Sequence, residues 1–280
     1  MRIVKSITEM QNISRELRAG GVVLGFVPTM GALHEGHLSL VRRARSECEI
    51  VVASIFVNPL QFAPGEDFNR YPRTFEEDCR WLEAERIEIL FAPEATEMYP
   101  DGAATTVTVS GIGDQLDGAS RPGHFTGVAT IVAKLFHILN PGRAYFGQKD
   151  AAQLAVLRQM VRDLNFKVEL VGCAIVRDPT GLALSSRNKY LSAEDREHAL
   201  ALHRTLLRIE QMIAGGERRS AVLVSSGMET LHAVAGVRVD YLAIVDAKSL
   251  RPIASVRTGT LVAVAAYVGE TRLIDNFLVK

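Results

Sequence analysis

The chain has 280 residues, 48% of them hydrophobic and 23% charged, which is ample for a large apolar core without disulfide or metal staples. Thirty-two basic residues balance 32 acidic ones, so there is no overall basic field to attract nucleic acid or a membrane surface. Cys48, Cys79 and Cys173 are scattered and form no C-x-x-C pair, which argues against a disulfide scaffold or zinc knuckle and fits a reducing compartment.

From the N-terminus, no charged-then-apolar leader pattern is present, and Met1 leads within a few residues into an amphipathic stretch. Apolar runs predict strands over 22–27, 50–57, 87–91, 143–146 and 168–175, with helices over 38–46, 75–85, 126–139 and 151–164 between them. Alternation of this kind predicts βαβ units around a parallel sheet, and the near-continuous apolar runs predict strands covered on both faces. Beyond residue 176 the pattern changes. Ser192 with Asp195 predicts a capped helix to about 213, Gly215-Gly216 stops it, and a second helix runs to about 234. Strands are predicted over 239–245, 260–266 and 273–279. The fold class is therefore α/β: a Rossmann-like parallel sheet with helices on both faces over 1–176, plus a smaller α+β C-terminal domain over 177–280. No apolar run is long enough to cross a bilayer, and the chain reads as cytoplasmic, with neither nucleic acid nor membrane as a partner.

Three turns at predicted strand ends carry chemistry. The first strand runs into Met30, Gly31, Ala32, Leu33, His34, Glu35, Gly36 and His37, with a helix expected from about 38. A helix entrance beyond the carboxyl end of a parallel strand offers free N–H groups and a positive dipole end to phosphate. His34 and His37, three apart, can both donate to one anion, and Gly31 and Gly36 allow close backbone approach. A plain helix cap is the competing reading. Zinc is a poorer one, because metalloprotease histidines stand four apart on one helix face. After the second strand, Asn58 and Gln61 are neutral amides suited to a carboxylate or hydroxyl. After the fourth come Gly147, Gln148, Lys149 and Asp150, then Gln153; Lys149 can meet a phosphoryl group as a point charge, while Asp150 also suits a helix cap. Farther on, Ser185, Ser186 and Arg187 form a compact donor set for phosphate oxygens. There is no G-x-x-x-x-G-K-[ST], G-x-G-x-x-G or G-x-S-x-G string, so the chemistry reads as phosphate handling by fixed donors, without a protein nucleophile.

Seven ordered blocks carry a family resemblance: VPTMGALHEGHL at 27–38, SIFVNPLQF at 54–62, YPRTFEED at 71–78, RPGHFTGV at 121–128, FGQKDAAQL at 146–154, GLALSSRNKY at 181–190 and RLIDN at 272–276. Along almost its whole length the chain resembles the pantoate–β-alanine ligases, within the wider H-x-G-H nucleotidyltransferase group. The resemblance implies that pantoate attacks ATP to give pantoyl adenylate and pyrophosphate, and that the amine of β-alanine then releases pantothenate and AMP. It implies Mg2+ entering with ATP, with no protein ligands for the metal assigned, and a cytoplasmic homodimer. It places Met30 through His37, Gly147 through Asp150, Val176 (by its backbone) and Leu184 through Arg187 on ATP. Gln61, Gln153 and Asn58 go to pantoate, and Gln61 also to β-alanine. His34, His37 and Lys149 are the expected catalytic residues.

The family describes His37 as a proton donor. A carboxylate nucleophile is already ionised at neutral pH and needs no base, so charge stabilisation of departing pyrophosphate is the more economical role. Gln148 and Ala152 depart from residues common among relatives, and Leu184 replaces a methionine seen in some of them, a volume-conserving change. Two rivals share the core motif: a nucleotidyltransferase that stops at an adenylylated product, and a nucleotide sensor without turnover.

Overall fold

The computed structural model describes residues 1–280. Its first part runs β1 (Arg2–Val4), α1 (Ile7–Ala19), β2 (Leu24–Thr29), α2 (Glu35–Glu47), β3 (Ile50–Ile55), α3 (Phe75–Ala84), β4 (Ile89–Phe91), two single-turn helices α4 (Ala95–Met98) and α5 (Asp117–Ser120), α6 (His124–Leu139), β5 (Arg143–Gly147), α7 (Ala151–Asp163) and β6 (Glu169–Cys173). The remainder is α8 (Ala193–Ala214), α9 (Ser220–His232), β7 (Val237–Asp246), β8 (Thr260–Val268) and β9 (Thr271–Leu278).

Six strands form an all-parallel sheet in the order β1-β4-β3-β2-β5-β6. The chain steps outward from β2 to β3 and β4, then returns to place β5 on the other side of β2. The carboxyl ends of β2 and β5 therefore flank the switch point at which open α/β sheets hold ligands. Phe26, Val27, Val51, Val52 and Ala53 of the central strands are at most 1% exposed, as strands covered on both faces require. α6 is apolar nearly all round and accordingly buried along most of its length.

Two expectations change. α2 begins at Glu35 rather than 38, because the His34 side chain caps it. β6 is an edge strand whose residues are partly or fully exposed, since no strand lies beyond it. β1, three residues long, was not predicted; it pairs with β4 through Arg2, Ile3 and Val4.

The C-terminal strands form an antiparallel sheet, β7-β8-β9, with α8 and α9 gathered against it around Leu202, Leu206, Ile209, Leu223 and Val264. The Ser192 capping box is present, its Oγ accepting from the Asp195 N–H at 3.0 Å. Val245, Leu250, Leu261 and Ala263 join the apolar cluster of the parallel sheet, so hydrophobic packing continues between the two sheets. No helix is long and apolar enough to cross a membrane.

Candidate active site

The turn after β2 is built before it meets any ligand. Thr29 Oγ1 donates to the Ser54 carbonyl at 2.7 Å and accepts from Gly31 N–H at 3.1 Å, fastening the turn to β3. Gly31 has φ +78°, and a Cβ there would stand 3.0 Å from Asp78 Oδ2. Asp78, on α3, accepts from the N–H groups of Ala32 at 2.9 Å and Leu33 at 2.8 Å. Those two amides are thus committed to the fold, and Ala32 is held at φ 49°. Burial pushes the Asp78 carboxyl above its usual range, against the pull of the two amides.

His34 then caps α2. Its Nδ1 accepts from Gly36 N–H at 3.1 Å; a backbone N–H can only donate, so the proton of the neutral imidazole resides on Nε2. A Cβ on Gly36 would lie 2.8 Å from the His34 ring, which explains glycine there. The His37 ring packs with its centroid 4.1 Å from that of His34. Burial lowers the His34 pKa to about 4, with the nearby Lys149 charge adding to it. Burial, the His34 neighbour and Lys149 lower His37 to about 3. Both rings are neutral at pH 7 and offer N–H dipoles rather than positive charge. The cap reading and the anion reading are compatible, since capping uses one nitrogen of His34 and leaves the other.

After β3, Asn58 is 1% exposed and fully engaged. Its Nδ2 donates to the Gly127 carbonyl at 3.0 Å and to Gln61 Oε1 at 3.1 Å, while its Oδ1 accepts from Leu60 N–H at 3.3 Å and from Tyr99 Oη at 2.8 Å. The Gln61 carbonyl is held as well. His124 Nδ1 donates to it at 2.8 Å and Arg121 at 3.3 Å, with His124 Nε2 left to accept from Arg121 at 3.1 Å. Burial, then the Arg121 charge, lowers His124 to about 4. Arg121 is anchored in turn by both oxygens of Glu66, at 2.6 and 2.8 Å.

From the other side, Ser186 Oγ donates to the Ala32 carbonyl at 3.1 Å. Arg187 is clamped through two nitrogens by Asp67, at 2.8 and 2.9 Å, which aims its guanidinium without leaving it loose. The Val176 carbonyl accepts from Leu184 N–H at 3.0 Å, closing a small hairpin.

One cleft collects Met30, His34, Gly36, His37, Asn58, Gln61, Gly147, Lys149, Asp150, Gln153, Val176, Leu184, Ser185, Ser186 and Arg187. Gly31, Ala32 and Leu33 lie behind its wall, Glu35 faces outward to pair with Arg42, and Gln148 turns to Asn276. Apolar walls come from Phe56, Val128, Ile131, Val132 and Leu135. A second chamber continues past Lys149, Asp150 and Gln153 toward Arg121, His124 and Arg272. Sequence reasoning assigned no role to Asp78, Arg121, His124 or Asn276. Each stands inside one of the seven blocks, but each works through the backbone of another residue, which no pattern of residue types displays.

A parallel sheet whose switch point holds an H-x-G-H helix entrance beside a lysine turn has the layout of an α/β ATP-binding enzyme. The family model described as Pantoate-beta-alanine ligase matches residues 2–278, and the chain belongs to that family. It is 54% identical to the pantothenate synthetase of Koribacter versatilis, covering 100% of this chain and 96% of that one. It is 56% identical to the pantothenate synthetase of Acidobacterium capsulatum, covering 99% and 97%. Among solved structures, pantothenate synthetase from Thermus thermophilus superposes with a TM-score of 0.93 at 50% identity, covering 99% of each chain. The pantoate-beta-alanine ligase of Francisella tularensis, complexed with beta-gamma ATP and beta-alanine, gives 0.81 at 35% identity, covering 99% and 97%.

Proposed function

We propose that this chain condenses (R)-pantoate with β-alanine at the expense of ATP, through a pantoyl-adenylate intermediate, giving pantothenate, AMP and pyrophosphate. The observation that carries the proposal is a single cleft in which neutral amides, Gln61 and Gln153, lie beside phosphate donors, His34, His37, Lys149 and Arg187. Amides bind a hydroxyl-bearing carboxylate without forming an ion pair that would blunt its nucleophilicity.

In the first step a pantoate carboxylate oxygen attacks the α-phosphorus, and the bond to the β-phosphate oxygen breaks. His34 Nε2–H and His37 donate to the phosphates as neutral dipoles, and Lys149 supplies the charge. Gly147 and Asp150 flank the phosphates, and Met30 lines the same entrance. The 31–33 segment and Glu35 act by shaping that entrance. The Val176 N–H, whose carbonyl is already engaged, is directed to adenine. Leu184 to Arg187 close over the triphosphate. In the second step the neutral amine of β-alanine, held beside Gln61, attacks the acyl carbon and AMP departs. Asn58 serves the pantoate subsite by orienting Gln61. Positioning dominates both steps.

Mg2+ would enter on the triphosphate. No group of three or more His, Cys, Asp or Glu side chains is arranged to cage a metal, which suits an ion that keeps its waters and takes few protein ligands. Asp78 is committed to two amides, so Asp150 is the carboxylate in the cleft open to it. When bound, the ion neutralises phosphate charge. We assign pantoate and ATP chemistry to residues 1–176 and the covering role to 177–280. Assembly as a homodimer in the cytoplasm rests on the family resemblance, and sedimentation at twice the chain mass tests the dimer.

Incubating the purified chain with all three substrates tests the activity. Equal amounts of AMP and pantothenate are expected; ATP binding without AMP would instead make the chain a nucleotide sensor.

A further inference from the structure

Asp275 and Asn276 are neighbours on β9, an edge of the antiparallel sheet, and each is 3% exposed. The Asn276 side-chain amide donates to two consecutive carbonyls of the lysine turn, Gln148 at 3.1 Å and Lys149 at 2.8 Å. The Gln148 side chain reaches back to Asn276 Oδ1 at 3.5 Å. Asp275 grips Arg177 through both oxygens, at 2.6 and 2.9 Å, and Arg177 also donates to the Gly181 carbonyl at 3.1 Å. Asp275 Oδ1 accepts in addition from the Asn276 N–H at 2.8 Å. Two adjacent residues of the C-terminal sheet therefore fasten the Lys149 turn and the 176–184 hairpin, the segments that flank the cleft.

The Lys149 ammonium rides on a flexible four-carbon stem, so its placement depends on where its backbone is pinned. Side-chain donors from a different sheet supply that pinning. We propose that Asn276 is a positioning residue for Lys149, and that the Asp275–Arg177 pair fixes the strand from which it acts. The proposal rests on the reading of Lys149 as a phosphate contact.

The test uses the full chain and pantoate-dependent exchange of pyrophosphate into ATP. Asn276→Ala removes both donors. Asn276→Asp removes them while keeping the volume, and thermal unfolding checks that each variant folds. A displacement of about 1 Å at the lysine lowers kcat on the order of 10- to 100-fold. That loss is expected with pantoate KM within about twofold, because Gln61 is anchored by Asn58 rather than by the lysine turn. In a Lys149→Ala background the same substitutions change the residual rate by less than about threefold, the signature of two residues acting as one unit. The Asn276→Asp rate relative to the unsubstituted chain also rises as pH falls, since a protonated carboxyl regains one donor. Unchanged kcat, equal losses in both backgrounds, or an Asn276→Asp chain that does not fold each overturns the proposal. If Lys149→Ala exchanges at the full rate, the phosphate role of Lys149 falls, and the positioning role falls with it; additive losses beside an impaired Lys149→Ala remove the positioning role alone.

Discussion

Asn58 dictates which end of the Gln61 amide faces the cleft. Its own orientation is fixed by two backbone groups of opposite character, the Gly127 carbonyl at 3.0 Å and the Leu60 N–H at 3.3 Å. Its Nδ2 must therefore point to Gln61, which answers with Oε1 at 3.1 Å and turns its own NH2 group outward, in contact with Met30 Sδ. Gln61 is thereby preset as a donor, the polarity a carboxylate or hydroxyl acceptor needs.

Asn58→Asp reverses that preset by facing Gln61 Oε1 with another acceptor. Pantoate KM should rise on the order of 10- to 100-fold, the worth of one hydrogen bond to a charged group, while ATP KM moves less than about threefold. Steady-state exchange kinetics with each substrate varied in turn decide it. Equal effects on both would place Asn58 outside the pantoate subsite.

His37→Gln keeps a neutral donor where His37→Ala removes it. Loss of one such donor typically lowers kcat about 100- to 1,000-fold. The alanine variant should show a loss of that order in the first step, and the glutamine variant should stay within about tenfold of the unsubstituted chain. A glutamine variant as impaired as alanine would mean that His37 delivers a proton.

Acid should weaken the free protein through its histidines. His34, His37 and His124 titrate at about 4, 3 and 4 in the folded chain, below an unfolded value near 6.5. The unfolded chain then binds more protons between those values, so stability is full above about pH 6.5 and falls as pH drops toward 4. Denaturant midpoints measured between pH 7 and 4.5 should decline, and His124→Gln should flatten the slope. ATP, whose charge favours protonated imidazoles, should recover part of the loss; a midpoint indifferent to pH would contradict the neutral assignment.

Asp78→Asn tests the loop behind the histidines. An amide offers one acceptor where the carboxylate offers two, leaving Ala32 or Leu33 N–H unpaired. A stability loss of about 1–3 kcal/mol is expected from the stranded amide. First-step kcat should fall on the order of tenfold as the entrance loosens. Thermal unfolding and exchange rates read the two separately, and an unchanged exchange rate would confine Asp78 to stability.

The parallel sheet and its switch-point turns were legible because buried parallel strands print continuous apolar runs, and because His34, Lys149 and Gln61 sit in short strings that fall directly after them. β1 escaped because three residues carry no periodicity; β6 was read as a strand, but a hydrophobic run does not reveal that it lies at an edge. The helix start at Glu35 escaped because the cap is an imidazole, outside the usual Ser, Thr, Asp and Asn set. The supports of the site were hidden for a different reason. Asp78 lies 46 residues from Ala32 and Asn276 lies 127 from Lys149, and both act on backbone atoms, which have no residue identity to read.

Exchange of labelled pyrophosphate into ATP with β-alanine withheld tests the central claim most directly. Exchange should require pantoate, and adding β-alanine should then release AMP and pantothenate in equal amounts. Exchange without pantoate, or product formed only with both acids present and no exchange beforehand, would contradict a pantoyl-adenylate intermediate.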